Sequence, residues 1–294
     1  MTRCTDGLQT AGLDVAMVDQ LIAAALAEDL GGGKDVTSAA TVPAAQQATL
    51  DLTARAPGVL AGVPIAGRVF EIASGGESQV STCHEDGERV TAGQVVLSIN
   101  GSTRCLLTAE RTALNLLCHL SGVATVTAAW VDVLAGTSAR VRDTRKTTPG
   151  LRALEKYAVR CGGGLNHRMG LWDAALVKDN HVLAAGGVSQ AFALVRAQFP
   201  GIPVEVEVDS LTQLEEVVAA GADLVLLDNF TPDQTAAAVA LVAGRCRLES
   251  SGGLTLGLAR QYAQTGVDYL AVGALTHSAP ILDLGADLRP VRRC

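Results

Sequence analysis

The run Arg142-Asp143-Thr144-Arg145-Lys146-Thr147-Thr148-Pro149-Gly150 places three cations and one carboxylate in its first five residues and then stops at Pro-Gly. It follows Ala139 and Val141, which read as the end of a buried strand. Cations at that point belong to the mouth of a core rather than to a solvated helix. A second basic pair, His167-Arg168, follows, and then Lys178-Asp179-Asn180-His181. Three such clusters in a chain of net charge −7 point to a pocket for a small polyanion. Guanidinium forks match the geometry of carboxylates and phosphates, whereas ammonium groups act as point charges.

Acids occupy matching places. In Val204-Glu205-Val206-Glu207-Val208-Asp209 the strand period of two puts the acids on one face and the valines on the other. Acids facing a core are costly unless paired or on a ligand. Glu207 and Asp209 come late on the strand, nearest its mouth. Asp228 ends another apolar run, Leu224-Val225-Leu226-Leu227. Small residues fill Ser250-Ser251-Gly252-Gly253 and Val272-Gly273-Ala274, each between a strand and a helix. Free N–H groups at a helix start can cradle a phosphate, and glycine lets it approach.

The elements behind these residues alternate. Strand-like runs at 140–142, 175–177, 204–208, 224–227, 247–249 and 269–272 are separated by helical runs at 150–161, 188–198, 211–220, 232–243 and 254–265. Repeated strand-then-helix units predict parallel strands with crossover helices. Six or seven units suit a barrel, with an open doubly wound sheet as the alternative. In such barrels chemistry gathers at the C-terminal ends of strands, where Asp143, Lys178, Asp228 and Ser250 fall. Before residue 120 the texture differs. A helix is predicted over 15–30, ended by Gly31-Gly32-Gly33. Strands are predicted at 50–53 and 59–61 and within 80–99. A long helix over 108–135 carries a candidate break at Ser121-Gly122.

With 294 residues, 48% hydrophobic and 3% aromatic, the chain can build tight helix-on-strand packing. Its acidic balance and lack of a basic face argue against nucleic acid as the main partner. No run of 18 apolar residues suggests a membrane span, and no apolar signal core opens the chain. Seven cysteines without a CxxC pair suggest free thiols in a reducing cytoplasm. Cys161 is a minor candidate for a nucleophile.

RDTRKTTPGLRALEKYAV, GGGLNHRMGLWDAALVKDNH, VEVEVDS, LLDNF, LESSGG and VDYLAVGALTHS, in this order, resemble the quinolinate phosphoribosyltransferase family. AEDLGGGKDVTS and AERTALNLLCHLSG extend the resemblance over nearly the whole chain. It implies an α/β sandwich domain over residues 1–120, joined by the C-terminal segment 280–294, and a seven-stranded α/β barrel over 121–279. It also implies a type II phosphoribosyltransferase that converts quinolinate and phosphoribosyl pyrophosphate to nicotinate mononucleotide, pyrophosphate and CO2, with Mg2+. By motif, Arg145, His167, Arg168 and Lys178 would surround quinolinate. Arg111 would enter from the second subunit of a homodimer. Lys146 would face pyrophosphate. Glu207 and Asp228 would hold the ribose hydroxyls or Mg2+, directly or through water. Ser251, Gly252, Gly253, Gly273 and His277 would take the 5′-phosphate. Trp172 and Cys161 receive no role. The alternatives are a relative acting on another ring acid and a non-catalytic sensor of phosphosugars.

Overall fold

The computed structural model describes residues 3–290. In chain order, the first half runs α1 (Arg3–Thr10), α2 (Val15–Leu30), α3 (Val36–Thr41), β1 (Gln47–Ala54), β2 (Gly58–Val59), α4 (Val63–Ala73), β3 (Gln79–Thr82), β4 (Arg89–Val90), β5 (Val95–Ser102) and α5 (Thr103–Leu134). The second half runs β6 (Arg140–Arg142), α6 (Arg152–Cys161), β7 (Ala175–Val177), α7 (Asp179–Ala185), α8 (Val188–Gln198), β8 (Val204–Val208), α9 (Leu211–Ala219), β9 (Leu224–Asp228), α10 (Pro232–Val242), β10 (Arg247–Ser251), α11 (Leu256–Gln264), β11 (Tyr269–Ala271), α12 (Ala274–His277) and β12 (Leu284–Pro290). Two compact units result. One takes residues 1–126, 153–162 and 279–294, and the other takes 127–152 and 163–278.

The first unit holds an antiparallel sheet ordered β12-β1-β5-β3 and a small β2–β4 ladder. The interior face of β1 contributes Leu50 and Leu52, and β5 contributes Leu97 and Ile99, all fully buried. Helix α4 packs Ile65, Val69 and Phe70 into the same core. Its start is capped from a distance: the Asp86 carboxylate accepts from Gly62 N and Val63 N, both at 2.9 Å. The orphan donors of a helix start need such an acceptor.

Helix α5 is continuous, so the expected break at Ser121-Gly122 is absent. Ser121 Oγ accepts from Ala61 N at 3.1 Å and is wholly buried. A Cβ on Gly122 would collide with the Pro280 and Ile281 backbone. The small pair therefore serves packing and not a bend. By length and composition α5 could also cross a bilayer, contrary to the sequence expectation, although 56% of its most apolar window is buried in the protein. Leu106, Leu114, Leu117 and Leu120 supply that buried face, as in the core helix of a globular unit.

The second unit holds six parallel strands ordered β6-β11-β10-β9-β8-β7. Val206, Val208, Val225, Leu227, Leu248 and Leu270 are buried, the apolar run that a sheet covered on both faces demands. Leu165 bridges Arg142 in parallel on the outer side of β6. The seventh strand is thus one residue long, and among the described residues no ladder joins Leu165 to β7. The glycines at 162–164 before it and the polar turn after it leave no run long enough for a fuller strand.

Candidate active site

The parallel strands of the second unit end on the same side, and residues at or just after their ends line one cavity of about 670 Å³. After β6 come Thr144, Arg145 and Lys146; after the Leu165 bridge, His167 and Arg168; after β7, Lys178. Glu207 is on β8, Asp228 ends β9, and Ser251, Gly252 and Gly253 follow from β10. Of the second-unit residues expected at the site, Arg145, Lys146, His167, Arg168, Lys178, Glu207, Asp228, Ser251, Gly252 and Gly253 are brought together here, whereas Gly273 and His277 are not among the lining residues. Arg111 is not among the lining residues; it is exposed on α5 in the first unit. Trp172 is exposed on the loop after Arg168, 77% accessible.

The two guanidiniums are held for ligands rather than by partners. The Nε atoms of Arg145 and Arg168 are both buried with no hydrogen-bond partner. Arg168 Nη1 donates to Ala174 O at 3.0 Å, which fixes its direction. Burial, then the like charge of Arg145, lowers the Arg168 pKa below its ordinary value. An anion between the two would relieve both costs. Lys178 Nζ donates to Glu207 Oε2 at 2.6 Å. Asp228 Oδ2 accepts from Asn229 Nδ2 at 2.8 Å.

His167 is set by its own loop. Asp143, fully buried, accepts from His167 N at 2.8 Å and from Asn166 Nδ2 at 2.6 Å. In the neutral ring the Arg168 amide donates to His167 Nδ1 at 2.7 Å and Nε2 carries the proton; charging the ring breaks that hydrogen bond. Nε2 lies 2.9 Å from Glu205 Oε2 and 3.4 Å from Glu249 Oε1. Burial opposes a charge on this ring, but the hydrogen bonds to Glu205 and then Glu249 outweigh it and push the His167 pKa up to about 9. Burial and the nearby Glu249 raise the Glu205 pKa. Glu249, which bonds Arg142 at 2.6 Å, has no role assigned from the sequence; Arg142 is one of the cations of the opening run, but it pairs with Glu249 and is not among the residues that line the cavity. The signal for Glu205 was available in the alternation with Glu207; nothing local marks Glu249.

The glycine loops have the shape expected of them. Gly252 and Gly253 have φ of 93° and 59°, the left-handed region that favours glycine. A Cβ on Gly273 would sit 3.0 Å from Lys146 Cδ and 3.2 Å from His277 Nε2. A side chain there would crowd the Lys146 stem and the His277 ring, which would have to shift by a few tenths of an ångström. Thr276 Oγ1 donates to Lys146 O at 2.7 Å and ties the basic loop to α12. Cys161 belongs to the first unit, where burial and then Asp86 push its pKa up to about 12, which disfavours a nucleophilic thiolate.

Residues 35–121 match the family model for the quinolinate phosphoribosyl transferase N-terminal domain, and residues 123–287 match that for its C-terminal domain. The chain belongs to the quinolinate phosphoribosyltransferase family. It is 57% identical over 268 residues to the nicotinate-nucleotide pyrophosphorylase [carboxylating] of Mycobacterium leprae, covering 90% of this chain and 94% of that one. Against the human protein of the same name it is 40% identical over 270 residues, covering 90% and 89%. The crystal structure of NadC from Streptococcus pyogenes superposes with a TM-score of 0.91 at 44% identity, covering 95% of this chain and 99% of that one. The two family models meet near residue 122, close to where the first compact unit gives way to the second after residue 126, but residues 153–162 and 279–287, inside the C-terminal model, belong to the first unit.

Proposed function

We propose that this protein transfers the phosphoribosyl group of phosphoribosyl pyrophosphate to quinolinate and decarboxylates the product, giving nicotinate mononucleotide, pyrophosphate and CO2. It is a transferase of pyridine nucleotide and NAD biosynthesis. The observation that carries the reading is the pair of buried, unpartnered guanidinium Nε atoms of Arg145 and Arg168 on a cavity with Lys146 and Lys178. Two adjacent guanidiniums and two ammonium groups are more cation than a monocarboxylate needs, and quinolinate offers two carboxylates.

In this reading Arg145 and Arg168 take the carboxylates of quinolinate and turn its ring nitrogen toward the ribose. Lys146 lies over Gly273, where it would meet the pyrophosphate. Glu207 and Asp228 present carboxylates across the cavity, suited to an anomeric carbon that gains positive charge as pyrophosphate leaves. The new N-glycosidic bond makes the ring nitrogen cationic. The C2–carboxylate bond then breaks with its electron pair left on C2, next to that nitrogen, and a proton replaces the lost CO2. The loop at Gly252-Gly253 offers backbone N–H groups to the 5′-phosphate, and His277, beside Gly273, would be a further donor.

The donor set also fits Mg2+, since Glu207 and Asp228 offer hard carboxylate oxygens on the cavity wall. Bound there with pyrophosphate, Mg2+ would neutralise the leaving group. A homodimer would bring Arg111, exposed on α5, to the partner's quinolinate. Incubation with quinolinate, phosphoribosyl pyrophosphate and Mg2+ tests the function. Nicotinate mononucleotide and CO2 should appear in equal amounts, and no product under any condition would refute it.

A further inference from the structure

Two loops carry the paired guanidiniums of the cavity, and one side chain outside the cavity holds those loops together. Arg145 is on the loop after β6, and Arg168 is on the loop after the Leu165 bridge. Arg152 opens α6 and still belongs to the second unit. It is half-buried and is not among the residues that line the cavity. Its guanidinium reaches both loops. Nε donates to Thr147 Oγ1 at 3.0 Å and Nη2 to Arg145 O at 3.5 Å, both on the first loop. Nη1 donates to Met169 O at 3.2 Å, on the second loop and next to Arg168. A planar fork that binds three oxygens fixes their relative positions, which a single ammonium group cannot do.

We propose that Arg152 is a positioning residue for quinolinate: it sets the separation of Arg145 and Arg168, and through it the fit of the cavity to two carboxylates. The inference rests on the quinolinate reading given above. Arg145 and Arg168 are like charges, and neither has a hydrogen-bond partner on its buried Nε. Their repulsion works to part the loops, so the spacing of the pair depends on the ties between them. One tie is Asp143, which accepts from His167 N at 2.8 Å and from Asn166 Nδ2 at 2.6 Å. Along each loop this tie comes before the arginine. The Arg152 fork, at Thr147 and Met169, comes after it. Asp173 stiffens the second loop from within, accepting from Met169 N and Gly170 N. Without Arg152 each arginine is tied across to the other loop on one side only.

Lys146 has an anchor of its own. Thr276 Oγ1 donates to Lys146 O at 2.7 Å, and Lys146 N donates to Thr144 Oγ1 at 3.0 Å. Loss of the Arg152 fork therefore releases the quinolinate cations more than the lysine that faces pyrophosphate. Charge and geometry separate in the same way. Arg152→Lys keeps the positive charge, so the attraction of the site for a dianion stays, and only the planar fork is lost. A displacement of binding groups far from the reacting atoms is enough to weaken a site built on two fixed cations.

The test is steady-state kinetics of the wild type and Arg152→Lys, each substrate varied with the other saturating and Mg2+ present. Arg152→Lys should raise the KM for quinolinate at least about tenfold and the KM for phosphoribosyl pyrophosphate less than about threefold. A merely structural role would lower the melting temperature and leave both KM values alone. An unchanged KM for quinolinate would overturn the proposal. So would an equal rise in both KM values, which would mark general damage to the cavity. Should Arg152→Lys fail to fold, Thr147→Val removes the acceptor of Nε with little change of shape and leaves Arg152 in place. It should raise the KM for quinolinate by about threefold, and Thr147→Ser, which keeps the hydroxyl, should recover most of that loss. A wild-type KM in Thr147→Val would overturn the proposal, as would a serine variant as impaired as the valine one. No turnover of quinolinate by the wild type would remove the functional reading itself. Normal wild-type turnover with an unmoved KM in Arg152→Lys would remove this inference alone.

Discussion

Asn229 and Gly252 fit together only because Gly252 has no side chain. A Cβ at 252 would overlap the Asn229 amide, whose oxygen occupies that space. Asn229 itself sits at φ 56°, a left-handed conformation that asparagine tolerates better than most residues. Its amide hydrogen goes to Ser251 O at 2.9 Å and its side chain to Asp228 Oδ2. One residue thus ties the Asp228 carboxylate to the glycine loop. Gly252→Ala combines φ 93° with this clash, and should cost stability by at least about 1 kcal/mol. It should also raise the KM for phosphoribosyl pyrophosphate by at least about tenfold. Urea unfolding and steady-state kinetics check the two effects, and an alanine variant with wild-type KM would remove Gly252 from the phosphate site.

The guanidinium pair makes a second prediction. Arg145→Ala and Arg168→Ala should each weaken quinolinate binding by about 2–5 kcal/mol, the range for truncating one partner of a desolvated charge pair. The fold should survive, because neither side chain packs in the apolar core. Nicotinate, with one carboxylate fewer, should be turned over at a small fraction of the quinolinate rate, since it would leave a buried cation unpaired. Calorimetry and competition kinetics measure both. Unchanged affinity in both variants would move the carboxylate site elsewhere.

How far these sites could be read from the chain depends on whether their causes are local. The parallel strands of the second unit were legible because Val206, Val225, Leu227 and Leu270 are buried in a sheet covered on both faces, which leaves an apolar run in the sequence. The cationic clusters were legible because strand ends place them beside the core. Helix α4 was not anticipated, because its cap, Asp86, lies 24 residues from Gly62. The break expected in α5 failed for a related reason: Ser121 and Gly122 look flexible locally, yet Ala61 and Pro280 demand small residues there. Strand β12 forms only by pairing with β1, and Glu249 gains its meaning only beside Arg142 and His167.

The buried acid–base cluster predicts a stability that depends on pH. The folded chain holds a proton at His167 with a pKa of about 9, against 6.5 for the unperturbed ring. A proton bound more tightly in the folded state stabilises it fully below the unfolded pKa. That contribution fades as pH rises through the folded one. The window is therefore about pH 6.5 to 9, and at about 1.4 kcal/mol per pH unit the loss is at most about 3.5 kcal/mol. Urea unfolding at the two ends of the window, in wild type and His167→Gln, isolates it. An equal pH dependence in both proteins would assign the loss to other groups.

Thiol chemistry gives an independent check on the first unit. Burial, followed by Glu71 for Cys4 and Asp86 for Cys161, pushes both thiols up to about 12. Neither should react with a thiol reagent at pH 8, because the thiolate is the nucleophile. Cys83 is exposed and should be labelled first. Mass spectrometry of digests after brief labelling should find Cys83 modified, and Cys4 and Cys161 modified only after unfolding. Early labelling of Cys161 would contradict its burial beside Asp86.

The last prediction concerns the second subunit. Arg111 is exposed on α5 and absent from the lining of the cavity, while the other proposed quinolinate ligands, Arg145, His167, Arg168 and Lys178, line it. If Arg111 completes the partner's site in a two-fold dimer, Arg111→Ala and Lys178→Ala should each be nearly inactive. Unfolded and refolded together, they form heterodimers in which one site collects both defects and the other collects neither. Random pairing yields about half heterodimers, each with one intact site of two, so about a quarter of full activity should return from the symmetry alone. Mass spectrometry of the intact assemblies confirms that heterodimers form. A mixture as inactive as its parents, with heterodimers present, would mean that Arg111 serves its own chain or has no part in the reaction.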